Sequence, residues 1–342
     1  MPLQSERRKL RFGLWYAFRN PSSWSTSFEE LYGAVLDQIA WAETIGYDDV
    51  WLTEHHFVED GHAPSPLVQA AAIAARTKKI RIGTAVLLLP LYHPVRVAED
   101  GATIDILSGG RFELGAGIGY RVEEFAGLGI SRADRAGRMN EGLEIVRRLW
   151  EGETLTFHGK HFRIDGARLT PMPVQRPRPP IWVGGFGPAA VRRAARLGDG
   201  YIGTGDVASL GEAYKAELRA LGKDPARGRV AGGHFWLIVA RDPERTWREL
   251  APHVRYQINL YAEWLAKAGQ SLFPHLPDDA ALKASGLLQV ATPERAAELI
   301  DEYAAATGIE RYYTWTIPPG VPVRRMDEHL ELFATHVMPR FR

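Results

Sequence analysis

The feature that most constrains this chain is an alternation. Short runs of β-branched and aromatic residues take turns with longer stretches in which apolar residues recur every three or four positions, the first pattern fitting a strand and the second an amphipathic helix. Residues 12–18 read as a strand and 28–45 as a helix, with Leu31, Val35, Ile39 and Ala42 on one stripe and Gly46 to end it. Strands at 49–53, 80–88 and 112–116 follow, separated by helices at 66–77 and 93–107, and 137–150 reads as the fourth helix. The unit repeats about every 35 residues.

The rhythm loosens over 153–169, which reads as a hairpin, and at Pro171, Pro173, Pro177, Pro179 and Pro180, which make a stiff extended connector. It then resumes with strands at 181–184 and 200–203 and helices at 188–197 and 209–221. A seventh strand is expected at 235–240, helical stretches at 244–268 and 293–307, an eighth strand at 310–317 and a final helix at 325–337. Eight such units without long antiparallel meanders predict an α/β fold, a (β/α)8 TIM barrel, because parallel strands need crossover helices and right-handed crossovers close into a barrel. A bare barrel takes about 250 residues. The 342-residue chain is therefore expected to be one domain, 1–342, with insertions after strands 4 and 7, at 151–180 and 267–291. Each insertion is either a plain loop or an active-site lid.

Composition removes whole classes of chemistry. The chain has no cysteine, which excludes a thiolate nucleophile, an iron–sulfur cluster, a cysteine-ligated zinc and a disulfide framework. Lys and Arg number 42 against 41 Asp and Glu, a net charge of +1 that offers no long-range field for nucleic acid or an anionic membrane. The start, residues 1–11, is charged without a following apolar stretch, and the greasiest segment, 80–92, is broken by Arg81, Gly83, Thr84 and Pro90. The protein is expected to be cytoplasmic, with a neutral or small partner.

In a barrel of this kind the active site lies at the C-terminal ends of the strands. Four such ends stand out. Glu54-His55-His56-Phe57 follows the second strand, and a histidine there can move a proton near neutral pH; strand alternation sends His55 and His56 to opposite sides, so one of them faces the centre. A metal site built on His55, His56 and His62 lacks ligand carboxylates and the helical i,i+4 spacing, so no metal is expected. Thr84-Ala85-Val86 offers small residues on which a flat ring can lie, or simply a buried strand end. Gly115 to Tyr120 is not a dinucleotide loop, since Tyr120 stands where a glycine is needed, yet its glycines, Gly117 among them, let backbone approach a ligand closely. Gly184-Gly185-Phe186-Gly187-Pro188 joins a strand to a helix whose first amides suit a phosphate, although Pro188 has no N–H.

Six segments carry a family resemblance: 50–57, 81–86, 93–100, 108–112, 194–200 and 332–339. In this order they make the chain similar to the bacterial luciferase-like, flavin-dependent oxidoreductases over nearly its whole length. The resemblance implies a barrel that binds FMN, or in one branch the deazaflavin F420, with the flavin ring at the strand ends and the phosphate near the fifth helix. It matches His55 to the family's catalytic histidine, with Glu54 and His56 supporting it. It matches Ala85-Val86 to the backbone beneath the ring, often a non-proline cis peptide, and Gly187-Pro188, beside Gly185 and Phe186, to the phosphate loop of F420-using members, whereas Glu54-His55-His56-Phe57 looks more like the FMN-using monooxygenases. Gly117 stands where light-emitting members carry a cysteine, and Ile118 where many FMN members carry an arginine for the phosphate.

The leading expectation is a monooxygenase that receives reduced FMN from a separate flavin reductase, reacts it with O2 and oxygenates a small apolar organic substrate. Trp15, Tyr120 and Trp236 are expected to shape the apolar pocket or the core. An F420-dependent hydride-transfer oxidoreductase and a non-catalytic flavin-binding subunit are the alternatives. Members are commonly homodimers through helices of the first half of the barrel, and the apolar face of helix 66–77 serves either that contact or the covering of the barrel.

Overall fold

The computed structural model describes residues 9–342. Residues 1–8, on which the expectation of no leader partly rests, lie outside them. In chain order the strands are β1 (Arg11–Tyr16), β2 (Asp49–Leu52), β3 (Arg81–Thr84), β4 (Phe112–Ala116), β5 (Thr154–His158), β6 (Arg163–Arg168), β7 (Ile181–Gly184), β8 (Gly200–Ile202), β9 (Arg229–Gly232), β10 (Trp236–Val239), β11 (Leu288–Ala291) and β12 (Arg311–Trp315). Eight of them, β1, β2, β3, β4, β7, β8, β9 and β12, close a barrel in that order, every pair parallel. This is the (β/α)8 barrel that the alternation predicts.

The helices cover it with the faces that the periodicity picks out. Helix Phe28–Thr44 buries Leu31, Val35, Ile39 and Ala42, and the Ser27 side chain caps it by accepting from the Glu30 amide. Helix Pro66–Arg76 turns Leu67, Ala70, Ile73 and Ala74 inward, so most of its apolar face covers the barrel and Val68 is left exposed. Among the described residues no helix is long and apolar enough to cross a membrane.

Two expectations fail. The seventh barrel strand is β9 at Arg229–Gly232, and the stretch expected in that place, β10, pairs instead with β11 in a separate two-stranded parallel sheet outside the barrel. The reason is room: a Cβ at Gly232 would lie 3.0 Å from the Tyr303 hydroxyl, and one at Gly233 would strike the Tyr313 backbone, so only a small-residue strand fits where β9 lies. The more hydrophobic β10 is expelled to the next layer. The expected final helix at 325–337 is broken into Asp327–Leu332, a wide π turn at Phe333–Val337 and tighter turns on either side.

The lower end of the barrel interior is plugged. Trp51 and Trp182 meet edge to face with ring centroids 6.0 Å apart, and Gly13, Gly83 and Gly200 are glycines because any side chain there would enter one of the two indoles. Beneath them Arg311 donates to Asp49 (3.1 Å) and Glu113 (3.0 Å), with Arg81 also on Glu113 and the Trp182 indole N–H 2.6 Å from its other oxygen. Burial pushes the Asp49 carboxyl up to about 6, whereas at Glu113 burial is outweighed by Arg311 and Arg81, which hold it down at about 2.

Candidate functional site

At the opposite end, where the strands terminate, a cavity of about 590 Å3 opens. Of the residues expected there, Glu54, His55, Ala85, Val86, Gly117, Ile118, Gly185, Phe186 and Gly187 all line it, as do Trp15 and Tyr120. His56 and Trp236 do not. Trp236 is fully buried outside the barrel, stacked on Trp315 with its indole N–H 3.2 Å from Gln257, because it belongs to the displaced strand β10.

His55 lies three residues past β2, with its ring fixed on several sides. Its Nδ1 is 2.7 Å from Glu124 Oε1, and since an ionised carboxylate only accepts, Nδ1 carries the proton and donates. Glu124 is wholly buried. Burial there is outweighed by His55, by the His56 amide (3.0 Å) and by Arg121 (3.3 Å), which hold its carboxyl below the usual range. In neutral His55 the remaining nitrogen, Nε2, is then a bare acceptor, with the Tyr120 hydroxyl 3.4 Å away. Burial raises Tyr120 well above its ordinary value, so it stays protonated. The rings of His62 (4.7 Å) and Trp264 (4.9 Å) hold the His55 imidazole in one orientation.

Glu54 and His56 do not touch His55 through hydrogen bonds; they pair with each other. Glu54 lies 2.6 Å from His56 Nε2 and 2.6 Å from the Tyr92 hydroxyl, and accepts from the Leu88 amide at 2.7 Å. Its work is to tie the end of β2 to the segment that follows β3. Glu124, which does hold His55, comes from the six-residue helix Val122–Gly127, and its only signal in the sequence is an acidic pair behind Arg121. His62 is held by one nitrogen, its Nδ1 being buried without a partner among the described residues. Thr53 Oγ1 donates to the Tyr16 carbonyl (3.2 Å) and so accepts from His62 Nε2–H (2.8 Å), while burial, with His55 and two arginines, pushes His62 far below its usual value. Among the described residues no three metal-ligating side chains gather.

The floor of the cavity is built from the ends of three strands. The Ala85-Val86 peptide is cis, and the Ala85 carbonyl accepts from the Trp15 indole (3.1 Å). A Cβ on Gly117 would lie 2.5 Å from one Val86 methyl and a Cβ on Gly184 2.6 Å from the other. Val86 is thus a knob between two glycines, and Gly117 is glycine for that reason. One wall is aromatic: Trp15 stacks on Trp315 at 4.3 Å and 3°, flanked by Phe235, Tyr261 and Phe273.

The two insertions behave differently. Residues 270–273 line the cavity, held by Asn259, whose amide group exchanges hydrogen bonds of 2.9 and 2.7 Å with the Leu276 backbone. Nothing in 151–180 reaches it; the β5–β6 hairpin instead packs on helix Arg135–Trp150, where Glu141 accepts from the amides of Lys160, His161 and Phe162.

The comparisons agree with this architecture. Residues 10–311 match the family model described as luciferase-like monooxygenase. The oxygenase component of the flavin-dependent trigonelline monooxygenase of Acinetobacter baylyi is 26% identical over 97% of this chain and 96% of its own. The F420-dependent glucose-6-phosphate dehydrogenase of Microbacterium testaceum is 38% identical over 50% of this chain, and the match spans about half of that relative, 52%. The crystal structure of the monooxygenase RslO1 from Streptomyces bottropensis superposes with a TM-score of 0.86 at 25% identity, covering 97% of this chain and all of that one. With a family match over most of the chain, on a closed barrel with its cavity at the strand ends, the protein belongs to the luciferase-like monooxygenase family of flavin- and F420-dependent enzymes.

Proposed function

We propose that the chain is the oxygenating component of a flavin-dependent monooxygenase, taking reduced FMN from a separate reductase and transferring one atom of O2 to a small apolar organic substrate. The observation that carries this reading is the His55–Glu124 pair, whose Nε2 faces an aromatic-walled cavity at the strand ends beside the Tyr120 hydroxyl at 3.4 Å. Reduced FMN supplies the electrons that activate oxygen. The floor at Ala85, Val86, Gly117 and Gly184, where added side chains would displace Val86, would give its ring a bed, and Ile118 and residues 185–187 would border its phosphate. His55 holds or accepts a proton at Nε2, with Glu124 fixing the tautomer. The stacked Trp15 and Trp315 exclude water and receive the substrate.

The full-length likeness to an oxygenase component favours this reading; the half-length likeness to F420-dependent dehydrogenases favours hydride transfer with F420 in the same cavity. Photoreduced FMN is bound anaerobically, and a panel of apolar aldehydes is then added with isotopically labelled O2. Labelled oxygen in a product is expected. Binding of F420 with none of FMN in either redox state overturns the assignment in favour of hydride transfer.

A further inference from the structure

Three indoles lead from the cavity into the outer layer. Trp15 on β1 and Trp315 on β12 are register partners on neighbouring parallel strands, so their rings lie face to face, at 4.3 Å and 3°. Both line the cavity, and the Trp15 N–H is tied to the Ala85 carbonyl of its floor. Trp236, the first residue of the displaced strand β10, stacks on Trp315 at 6.3 Å and 28° and is wholly buried outside the barrel.

The rings around this stack carry cations, and its members do not. Arg311 stands 5.7 Å from the Trp51 ring and 4.8 Å from that of Trp182, and Arg121 stands 4.3 Å from that of Trp264. Tyr261, the phenol beside Trp315, has Arg19 at 5.6 Å. Among the described residues no Lys or Arg lies over Trp15, Trp315 or Trp236. A positive charge beside a ring opposes the loss of an electron from it, so oxidation in this neighbourhood falls on the cation-free stack.

No base waits for the proton of an oxidised member. The Trp15 N–H meets a carbonyl, the Trp236 N–H meets the amide oxygen of Gln257 at 3.2 Å, and the Trp315 N–H is buried without an acceptor among the described residues. An indole that loses an electron here keeps its proton and its positive charge, which leaves the hole free to pass to the next ring. Tyr261 competes poorly, because a phenol gives up its proton with the electron and burial pushes this hydroxyl up to about 12.

We propose that Trp15, Trp315 and Trp236 form a one-electron conduit that carries oxidising equivalents out of the cavity. The conduit rests on the reading that a flavin activates oxygen there. When activated oxygen breaks down without substrate, an oxygen-centred radical takes one electron from Trp15 and leaves as its anion. Trp315 and then Trp236 pass an electron inward, and no bond or proton of an indole is lost. The positive charge is held in the outer layer, away from substrate and flavin, until the next reduced flavin returns the electron through the same stack.

Light supplies the oxidant in the test. Oxidised FMN bound to the protein is excited by a short laser pulse and takes one electron from Trp15, and the absorbance of the indole radical is followed until the charges recombine. The wild type is expected to show prompt loss of flavin emission and a long-lived radical. Trp15→Phe is expected to restore the emission. Trp315→Phe keeps the quenching and loses the long-lived part, and Trp236→Phe, outside the cavity, shortens it with FMN affinity unchanged. Radical lifetimes in both of these variants equal to that of the wild type, or quenching that survives Trp15→Phe, overturn the conduit and leave FMN binding standing. Should Trp315→Phe fail to hold FMN, Trp236→Phe decides alone. If the wild type retains no FMN, the FMN reading fails by itself and F420, which also absorbs light, takes its place in the same comparison. No radical with F420 bound then overturns the conduit, and a protein that holds neither cofactor overturns both.

Discussion

The two ends of the barrel use the same residue types in opposite ways. At the lower end Arg311, Asp49 and Glu113 face one another beneath Trp51 and Trp182, at 3.1 and 3.0 Å, and nothing from outside reaches them. At the upper end His55 has Glu124 on one nitrogen and, on the other, the cavity and the Tyr120 hydroxyl at 3.4 Å, and Arg193 has Asn140 on Nε and, among the described residues, no partner on its terminal nitrogens. Closed pairing of buried charges holds the fold together. Open pairing leaves a bond for something that arrives, and the free group is kept in place by a partner on its other side.

The contrast breaks if variants at the two ends behave alike. The largest expected effect is at the top: His55→Ala lowers oxygen transfer from reduced FMN and O2 by about 10²- to 10⁴-fold, the usual worth of a positioned proton carrier. Its urea midpoint falls less than that of a plug variant, because Glu124 keeps Arg121 and the His56 amide as partners. Rates measured across the aldehyde panel decide it, and unchanged rates in a folded variant remove His55 from the mechanism.

Next in size is the plug. Arg311→Met leaves Asp49 and Glu113 buried with only the peripheral Arg11 and Arg81, and should destabilise the protein by about 3–5 kcal/mol, the cost of stripping one partner from a buried charge set. Urea unfolding reads this directly. A loss below about 1 kcal/mol would mean that water reaches the lower end and that the two ends differ less than their geometry indicates.

The same contrast explains what could be read from the sequence. Barrel strands flanked by turn residues, such as β7 between Pro180 and Gly185, are legible because chain punctuation and apolar run coincide. Strand β9 is not, since Arg229-Val-Ala-Gly232 looks weaker than the run after it, and only the crowding by Tyr303 and Tyr313 shows why small residues belong there. His55 could be picked out by its place just past a strand end. Glu124 and Arg193 could not, because a charged residue on a helix looks the same whether it faces solvent or a cavity, and the packing of helices around the barrel decides which.

The smallest effect tests a pair that is closed although it sits at the open end. Burial opposes the charge on His56, but its hydrogen bond to Glu54 at 2.6 Å outweighs burial and raises the imidazole above its ordinary 6.5. The folded state therefore holds this proton more tightly than the unfolded chain. Its contribution is fully present below about pH 6.5 and is lost as pH rises through the higher, folded value. The wild type should lose stability relative to His56→Gln as pH rises from about 6 to about 8.5, by under about 1 kcal/mol for a group that is partly reached by solvent. Paired urea titrations at the two pH values measure it. If the difference between the two proteins does not change with pH, Glu54 accepts only from Tyr92 and the Leu88 amide, and the upper end is open at His56 as well as at His55.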